Sequence, residues 1–426
     1  MRTIAFTLSL VLIFFIPWEG VIEFPSLGTA AKLIGFAAGA CWLATVVIRA
    51  RFRKPGPFHI MVCLFVLWNA VSVFWSADPE TTVAHVVRWV QLLGMVFILW
   101  DLYTTRAALL AGLQAFILGE YVGIGIAVAN YFSGDVFYSH YQRFSPSDQS
   151  NPDGFGFIVV LGIPVAFYLA ASEKTTRMSG LLKLVNYAYI PAAFVGLALS
   201  GTRTALIAAL PGMAFGLAAI TRLRLSARVA VLLLLTSVAF ILLPYVQPLR
   251  SFQRLGTTYA ELSEGTLNNR TNNWREGLAT FAEHPLIGVG GGMYSSENSL
   301  GKIAHNSFLS VLVELGLIGF ALFGSILTLA IISAWGQPKW HARFWLTTLL
   351  VWALGASTMT YEHRKATWLF LSLIIASAAL NPRRDEGPGF VRRNEPERKR
   401  YQAPNTTNYQ NAKRRSRGEF TNAFRK

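Results

Sequence analysis

Apolar runs of roughly 17–25 residues recur from the N-terminus to about residue 381, separated by short polar stretches. Each run is long enough to cross a hydrocarbon core as a helix. None shows the alternation over about ten residues that a barrel strand would need. The pattern predicts an all-α polytopic membrane protein with about twelve spans, at 4–20, 27–48, 58–76, 83–102, 108–132, 154–171, 185–200, 203–221, 228–247, 306–334, 342–361 and 365–381. Only a tight "SGTR" turn parts the seventh from the eighth. The run from Ile4 to Pro17 has the length of a secretory signal. It leads into "PWEGVIEF" with no small-residue cleavage site, so it reads as a retained first helix.

Two segments fall outside this pattern. Residues 248–304 form one long outer loop, with an amphipathic stretch "RTNNWREGLATFAEH" followed by "PLIGVGGGMY". Residues 382–426 are rich in Arg, Lys, Asn and Pro and poor in large apolar groups, and read as an unstructured basic cytoplasmic tail that either solvates the chain or contacts anionic lipid.

Composition agrees. The 426 residues are 53% hydrophobic and only 14% charged, where soluble chains carry about a quarter charged residues. A formal charge of +16 would ordinarily prompt a nucleic-acid reading, but its distribution argues for a membrane. With the N-terminus in the cytoplasm, roughly 27 of the 38 Lys and Arg fall on cytoplasmic segments, among them Arg49, Arg53, Arg106, Lys174, Arg177, Arg224 and the tail. Acids and polar groups gather in the outer loops instead, as in "WSADPE" and "YSHYQRFSPSDQSNPDG". The two cysteines, Cys41 and Cys63, lie inside apolar runs and read as packing residues.

The candidate chemistry sits on the outer side. Arg203 interrupts an apolar stretch in "LALSGTRTALIAALPG" with no acid close by in sequence. An arginine there must be solvated, snorkelling or bound to an anion. Arg270 and Arg275 in the long loop and Arg143 in a neighbouring one add guanidinium groups, which bind phosphate bidentately and stay charged. His305 and Asn306 stand at the mouth of the tenth span, Asn306 as a candidate N-cap. At ~100° per residue, His305, Leu309, Leu312, Gly316 and Gly319 would fall within about 40° of one line down a continuous helix. The two glycines on that line would admit another helix or a lipid chain. Glu314 would point to the opposite face, as a link to another helix. "GVGGGM" follows no strand and reads as a glycine-rich turn back to the membrane rather than a dinucleotide fingerprint. The chain has no HExxH, no cysteine pairs of zinc spacing and no nucleophile elbow, so no metal and no cofactor are expected.

These residues resemble a known family. His305-Asn306, nine residues, Gly316, two residues and Gly319 resemble the histidine signature of bacterial O-antigen ligases. Their relatives include O-antigen and exopolysaccharide polymerases and some protein O-oligosaccharyltransferases. Arg270, Trp274, Pro285, Gly288 and Gly290 resemble the loop segment of that family, "SGTRTAL" its arginine turn, and "NPDGFG" its lead-in to a helix. The resemblance covers residues 143 to 320 by motif and the remaining spans by topology. It implies a GT-C-type membrane glycosyltransferase of the bacterial inner membrane. Its donor would be a glycan on undecaprenyl diphosphate at the periplasmic face, transferred to an acceptor hydroxyl without a metal and with inversion. Lipid A-core, another glycan or a comparable hydroxyl would be the acceptor. By resemblance, Arg203 and Arg270 bind the diphosphate, with Arg275 able to share or replace the role of Arg270. His305 is the base or the acceptor-orienting group.

The motif reports the donor, so ligase and polymerase differ only in acceptor, and the ligase is favoured. A polysaccharide or lipid transporter is the alternative of another class. It would place ionisable groups and broken helices near the bilayer midplane, where only Glu314 is clearly deep.

Overall fold

The computed structural model describes residues 1–136, 141–148, 150–172, 180–259, 263 and 270–380. Lys174, Arg177 and the basic tail lie outside the described residues. Every expected span has its helix. The order is α1 Arg2–Phe15, α2 Ala30–Arg49, α3 Pro57–Val71, α4 Pro79–Leu102, α5 Arg106–Ser133, α6 Pro152–Ala171, α7 Gly180–Ser200, α8 Arg203–Ile220 and α9 Leu225–Val246. Two helices of the long loop follow, α10 Arg250–Gly256 and α11 Arg270–Glu283, then α12 Ser307–Trp335, α13 Lys339–Ala356 and α14 Lys365–Leu380. Among the described residues nine helices are long and apolar enough to cross a membrane. The other three spans are α1 and α14, which are shorter, and α13, whose first turns carry Lys339, His341 and Arg343. The described residues contain one small hairpin, Glu23–Phe24 against Gly28–Thr29.

Burial sorts the helices. α6 is enclosed almost along its whole length, with Phe157, Val159, Val160, Leu161 and Val165 fully buried. It packs on α7 and α8, and close approach is written into its glycines. A Cβ on Gly162 would lie 2.2 Å from the Tyr189 hydroxyl on α7. α9 is the opposite case: apolar throughout, with Val246 alone buried, as expected for a helix whose flanks face lipid tails. Both cysteines are free thiols at half-buried positions.

One expectation fails, and its failure organises the site. The tenth span is not a continuous helix, because Gly316 has φ 66 and ψ −168, which breaks α12 after two turns. His305 lies before the N-cap, with φ 48. The line drawn from His305 through Gly316 to Gly319 therefore does not exist as a helical face. The break frees backbone groups that a membrane interior cannot hydrate. The "PLIGVG" segment takes them up. Val289 and Gly290 donate to the carbonyls of Val313 and Glu314 at 3.1 and 2.9 Å, and Leu317 and Ile318 donate to those of Pro285 and Leu286 at 2.9 and 3.3 Å. The Trp68 indole of α3 donates to the Leu315 carbonyl at 3.0 Å. The two backbones meet glycine to glycine. A Cβ on Gly288 would lie 2.4 Å from the Glu314 carbonyl, and one on Gly316 2.3 Å from the Leu286 oxygen.

Glu314 locks the same junction. Its carboxylate accepts from the Gly292 amide at 2.8 Å and from Ser310 at 3.2 Å, and lies 4.0 Å from His85 of α4. The link to another helix read from the sequence is present. The glycine-rich turn seats against α3 as well, with the Gly291 amide donating to Ser72 at 3.0 Å.

Candidate functional site

The residues of interest converge where α6, α8, α10 and α11 begin and the loop enters α12. The "SGTR" turn is built first. Gly201 takes φ 57, and a Cβ there would meet the Ser251 carbonyl oxygen at 2.6 Å, so the turn requires glycine. Thr202 donates to the Pro152 carbonyl at 2.9 Å, tying the turn to the start of α6. There "NPD" acts as written in the sequence. Asn151 caps the helix by accepting from the Asp153 amide at 2.9 Å, with Pro152 in the first turn. Arg203 follows as the first residue of α8, half-buried, and donates to Thr257 at 3.1 Å.

Arg143 is brought to this point but committed elsewhere. Its guanidinium is buried and donates to the Ser200 carbonyl at 2.7 Å, to Asp153 at 2.6 Å and to Thr202 at 3.1 Å. It was expected among the diphosphate ligands. These bonds make it the clamp that fixes the arginine turn to α6, its charge matched by Asp153.

Sequence reasoning missed Arg254. It lies on α10, in a segment read as loop, and donates to the Gly201 carbonyl. Burial first, then the charges of Arg143 and Arg203, push its guanidinium down to about 10; Asp153 opposes this and Arg270 adds to it. The charges acting on Arg254 are thus those of three guanidinium groups and one carboxylate. Nothing in the local sequence sets Arg254 apart from other loop arginines. Its partner is 53 residues away.

Arg270 starts α11, and its charge reaches Arg254, Asp153 and His305. Trp274 is one turn further along the same face. Its indole donates to the Ala304 carbonyl at 2.9 Å, and the Asn273 amide donates to the Ile303 carbonyl at 2.8 Å. The Arg-x-x-x-Trp spacing therefore carries one arginine and one anchor, and the anchor holds the residue directly before His305. Gly277 completes the seat, since a Cβ there would meet the Tyr294 hydroxyl at 2.4 Å. Arg275 is not brought in. It stands exposed on another side of α11 and is absent from the charges acting on Arg254 and His305.

His305 sits in the bend ahead of α12. Asn306 caps that helix as expected, accepting from the amides of Phe308 and Leu309 at 3.0 and 3.1 Å. Burial, then the charge of Arg270, pull the His305 imidazole below its usual value, with Asp153 opposing and Lys302 adding. The ring is therefore neutral near pH 7 and able to accept a proton. Gly316 and Gly319 act at a distance, by forming the break. A Cβ on Gly319 would meet the Leu315 Cβ at 2.2 Å.

Beside the arginines runs an apolar groove of about 440 Å³ between α7, α8 and α10, lined by Phe194, Leu197, Leu206, Phe252 and Leu255. Leu206 lies one turn below Arg203, and Leu255 adjoins Arg254. A charged rim and an apolar trough on the same helices suit an amphiphile with an anionic head.

Residues 188–324 match the profile of a family described as O-Antigen ligase. Arg203, Arg254, Arg270, His305 and both glycines of the α12 break lie within the matched residues; Arg143 and Asp153 lie outside them. The chain is also similar to the "Exopolysaccharide production protein ExoQ" of Rhizobium meliloti, 27% identical over 334 residues, covering 70% of each chain. The motifs, the profile and the relative agree: this chain is similar to the O-antigen ligase family over residues 188–324 and to an exopolysaccharide production protein over most of its length.

Proposed function

We propose that this protein transfers a glycan from undecaprenyl diphosphate to an acceptor hydroxyl at the periplasmic face of the bacterial inner membrane, in the manner of an O-antigen ligase. One observation carries the reading: the charges of Arg143, Arg203 and Arg270 all act on Arg254, whose helix lines a lipid-sized apolar groove. Arg203, Arg254 and Arg270 hold the diphosphate, and the first isoprenoid units lie along Leu206 and Phe252. The departing group is a lipid diphosphate, so stabilising its developing negative charge is the main catalytic task, and fixed guanidinium groups supply it. Neutral His305 accepts the proton of the acceptor hydroxyl as that oxygen attacks the anomeric carbon. A single displacement of this kind inverts the anomeric centre, and no carboxylate nucleophile is needed.

The similarity to an exopolysaccharide production protein over 70% of both chains favours a second reading, in which the acceptor is another lipid-linked repeat unit. The donor chemistry is shared. Loss of a ligase leaves long polymer on the carrier lipid, whereas loss of a polymerase leaves single repeats, so the glycan length profile of a deletion strain separates the two. The transfer itself is tested with purified protein, a lipid-diphosphate glycan and candidate acceptors. Arg203→Ala, Arg270→Ala and His305→Ala should each abolish product while membrane expression persists. Full activity in any one removes that residue from the mechanism.

A further inference from the structure

A second cavity, of about 200 Å³, lies at the opposite end of the bundle from the arginine site. It opens where α5 begins, α6 ends, α13 begins and α14 ends. Its walls are Leu109, Leu110 and Leu113 of α5, Trp345 of α13 and Leu380 of α14. Its polar members are Arg106, His341 and Ser377, the last already bonded to Trp345 and Gln337, with the Tyr168 ring edge-on to the imidazole at 5.8 Å. Among the described residues no carboxylate lines it.

The two basic groups are not used by the fold. Arg106 has no hydrogen-bond or ion-pair partner among the described residues, yet its charge reaches both Tyr168 and His341. His341 keeps its Nδ1 shielded from solvent with no partner. α13 begins without a side-chain cap, so its first amide groups also face this region with their positive end of the helix dipole. By contrast, the ties at the neighbouring ends are complete: Asp101 takes Arg2, the Arg53 amide and the Trp42 indole. An unmatched guanidinium, an unpartnered imidazole nitrogen and an uncapped helix start above a leucine wall describe a receptor for an anion carrying an apolar chain. Basic pockets between spanning helices bind lipid head groups in this way.

We propose that this cavity binds the phosphate of an anionic phospholipid, with Arg106 and His341 on the head group and an acyl chain along Leu109, Leu113 and Leu380. The site is independent of glycan transfer. It ties four helix ends to the leaflet opposite the arginine site.

The test uses the purified full-length protein in detergent and three probes: dioctanoyl phosphatidylglycerol, dioctanoyl phosphatidylcholine and inorganic phosphate. Binding is read as adducts in native mass spectrometry and as a shift of the thermal midpoint. Phosphatidylglycerol should give a saturable adduct and raise the midpoint, with the other two giving neither at the same concentration. Arg106→Gln with His341→Gln should weaken that adduct at least about tenfold, whereas Arg106→Lys should keep it within about threefold. Should the double variant misfold, loss of the adduct in Arg106→Gln alone decides instead. Equal binding of phosphatidylglycerol by wild type and variant overturns the proposal. So does equal binding of phosphatidylcholine, and so does competition by inorganic phosphate at comparable affinity, which would make the pocket a free-phosphate site.

Discussion

Gly316→Ala should unseat the loop from the membrane helix. The added Cβ would lie 2.3 Å from the Leu286 oxygen, 2.4 Å from its carbonyl carbon and 2.5 Å from the Ile287 nitrogen. All three are backbone atoms, so no side chain can swing aside. The residue also holds φ 66 with ψ −168, a region that is essentially closed to side-chain-bearing residues and costs about 1–3 kcal/mol where it is forced. Ordinary contact requires the two backbones to separate by about 1 Å, which lengthens the four bonds joining Val289, Gly290, Leu317 and Ile318 across the break. At about 1 kcal/mol net for each, the loss is ~4 kcal/mol before strain is added, and more where the freed groups stay in lipid. That is a large part of a typical folding stability of roughly 5–15 kcal/mol. Hydrogen exchange read by mass spectrometry should show faster exchange at these four amides, together with a lower thermal midpoint in detergent. Gly324→Ala is the control in the same helix. No atom lies within 4 Å of its added Cβ, so it should be neutral or slightly stabilising. If Gly316→Ala keeps wild-type exchange at the four amides and matches Gly324→Ala in midpoint, the interlocked-backbone account is wrong.

The other predictions concern the site. The acid limb of kcat/KM should report His305. Its imidazole is held below the usual value near 6.5, so activity should persist through that pH and fall only as the ring protonates at lower pH. Arg270→Gln removes a charge that disfavours the imidazolium, so in whatever activity remains the limb should move to higher pH; an unmoved limb separates the two residues. Arg254→Gln should raise the donor KM or lower kcat/KM by about 10–100-fold, the scale of a lost charge-assisted hydrogen bond, and wild-type kinetics would remove Arg254 from the diphosphate site. Trp274→Phe deletes the bond to the Ala304 carbonyl while keeping an aromatic ring. It should lower kcat about tenfold or less, with expression retained, and an unchanged kcat would show that His305 is placed without that anchor.

The sequence carried the spans because lipid imposes a simple demand, about twenty apolar residues per crossing, and all twelve helices lie where that demand put them. It carried the arginine turn, the Asn306 cap and the Arg270–Trp274 pair because each is a local motif. What it did not carry depends on partners distant in sequence. The interruption at Gly316 has apolar residues on both sides, and a lone glycine in a helical pattern does not announce a break; the reason lies in Pro285–Gly290, some 30 residues earlier. Arg254 earns its place through Gly201 and the Tyr141 ring, both far from it in sequence. Arg143 was read without its partner for a different reason. Asp153 follows ten residues later, inside the very "NPD" segment singled out as a motif, and reading the two together would have paired them. That pairing sharpens the site. Arg143 and Asp153 pair to hold the turn, and Arg203, Arg254 and Arg270 gather beside it from three different helices. Guanidinium groups bind phosphate oxygens bidentately, so a set drawn from separate helices suits the diphosphate proposed above.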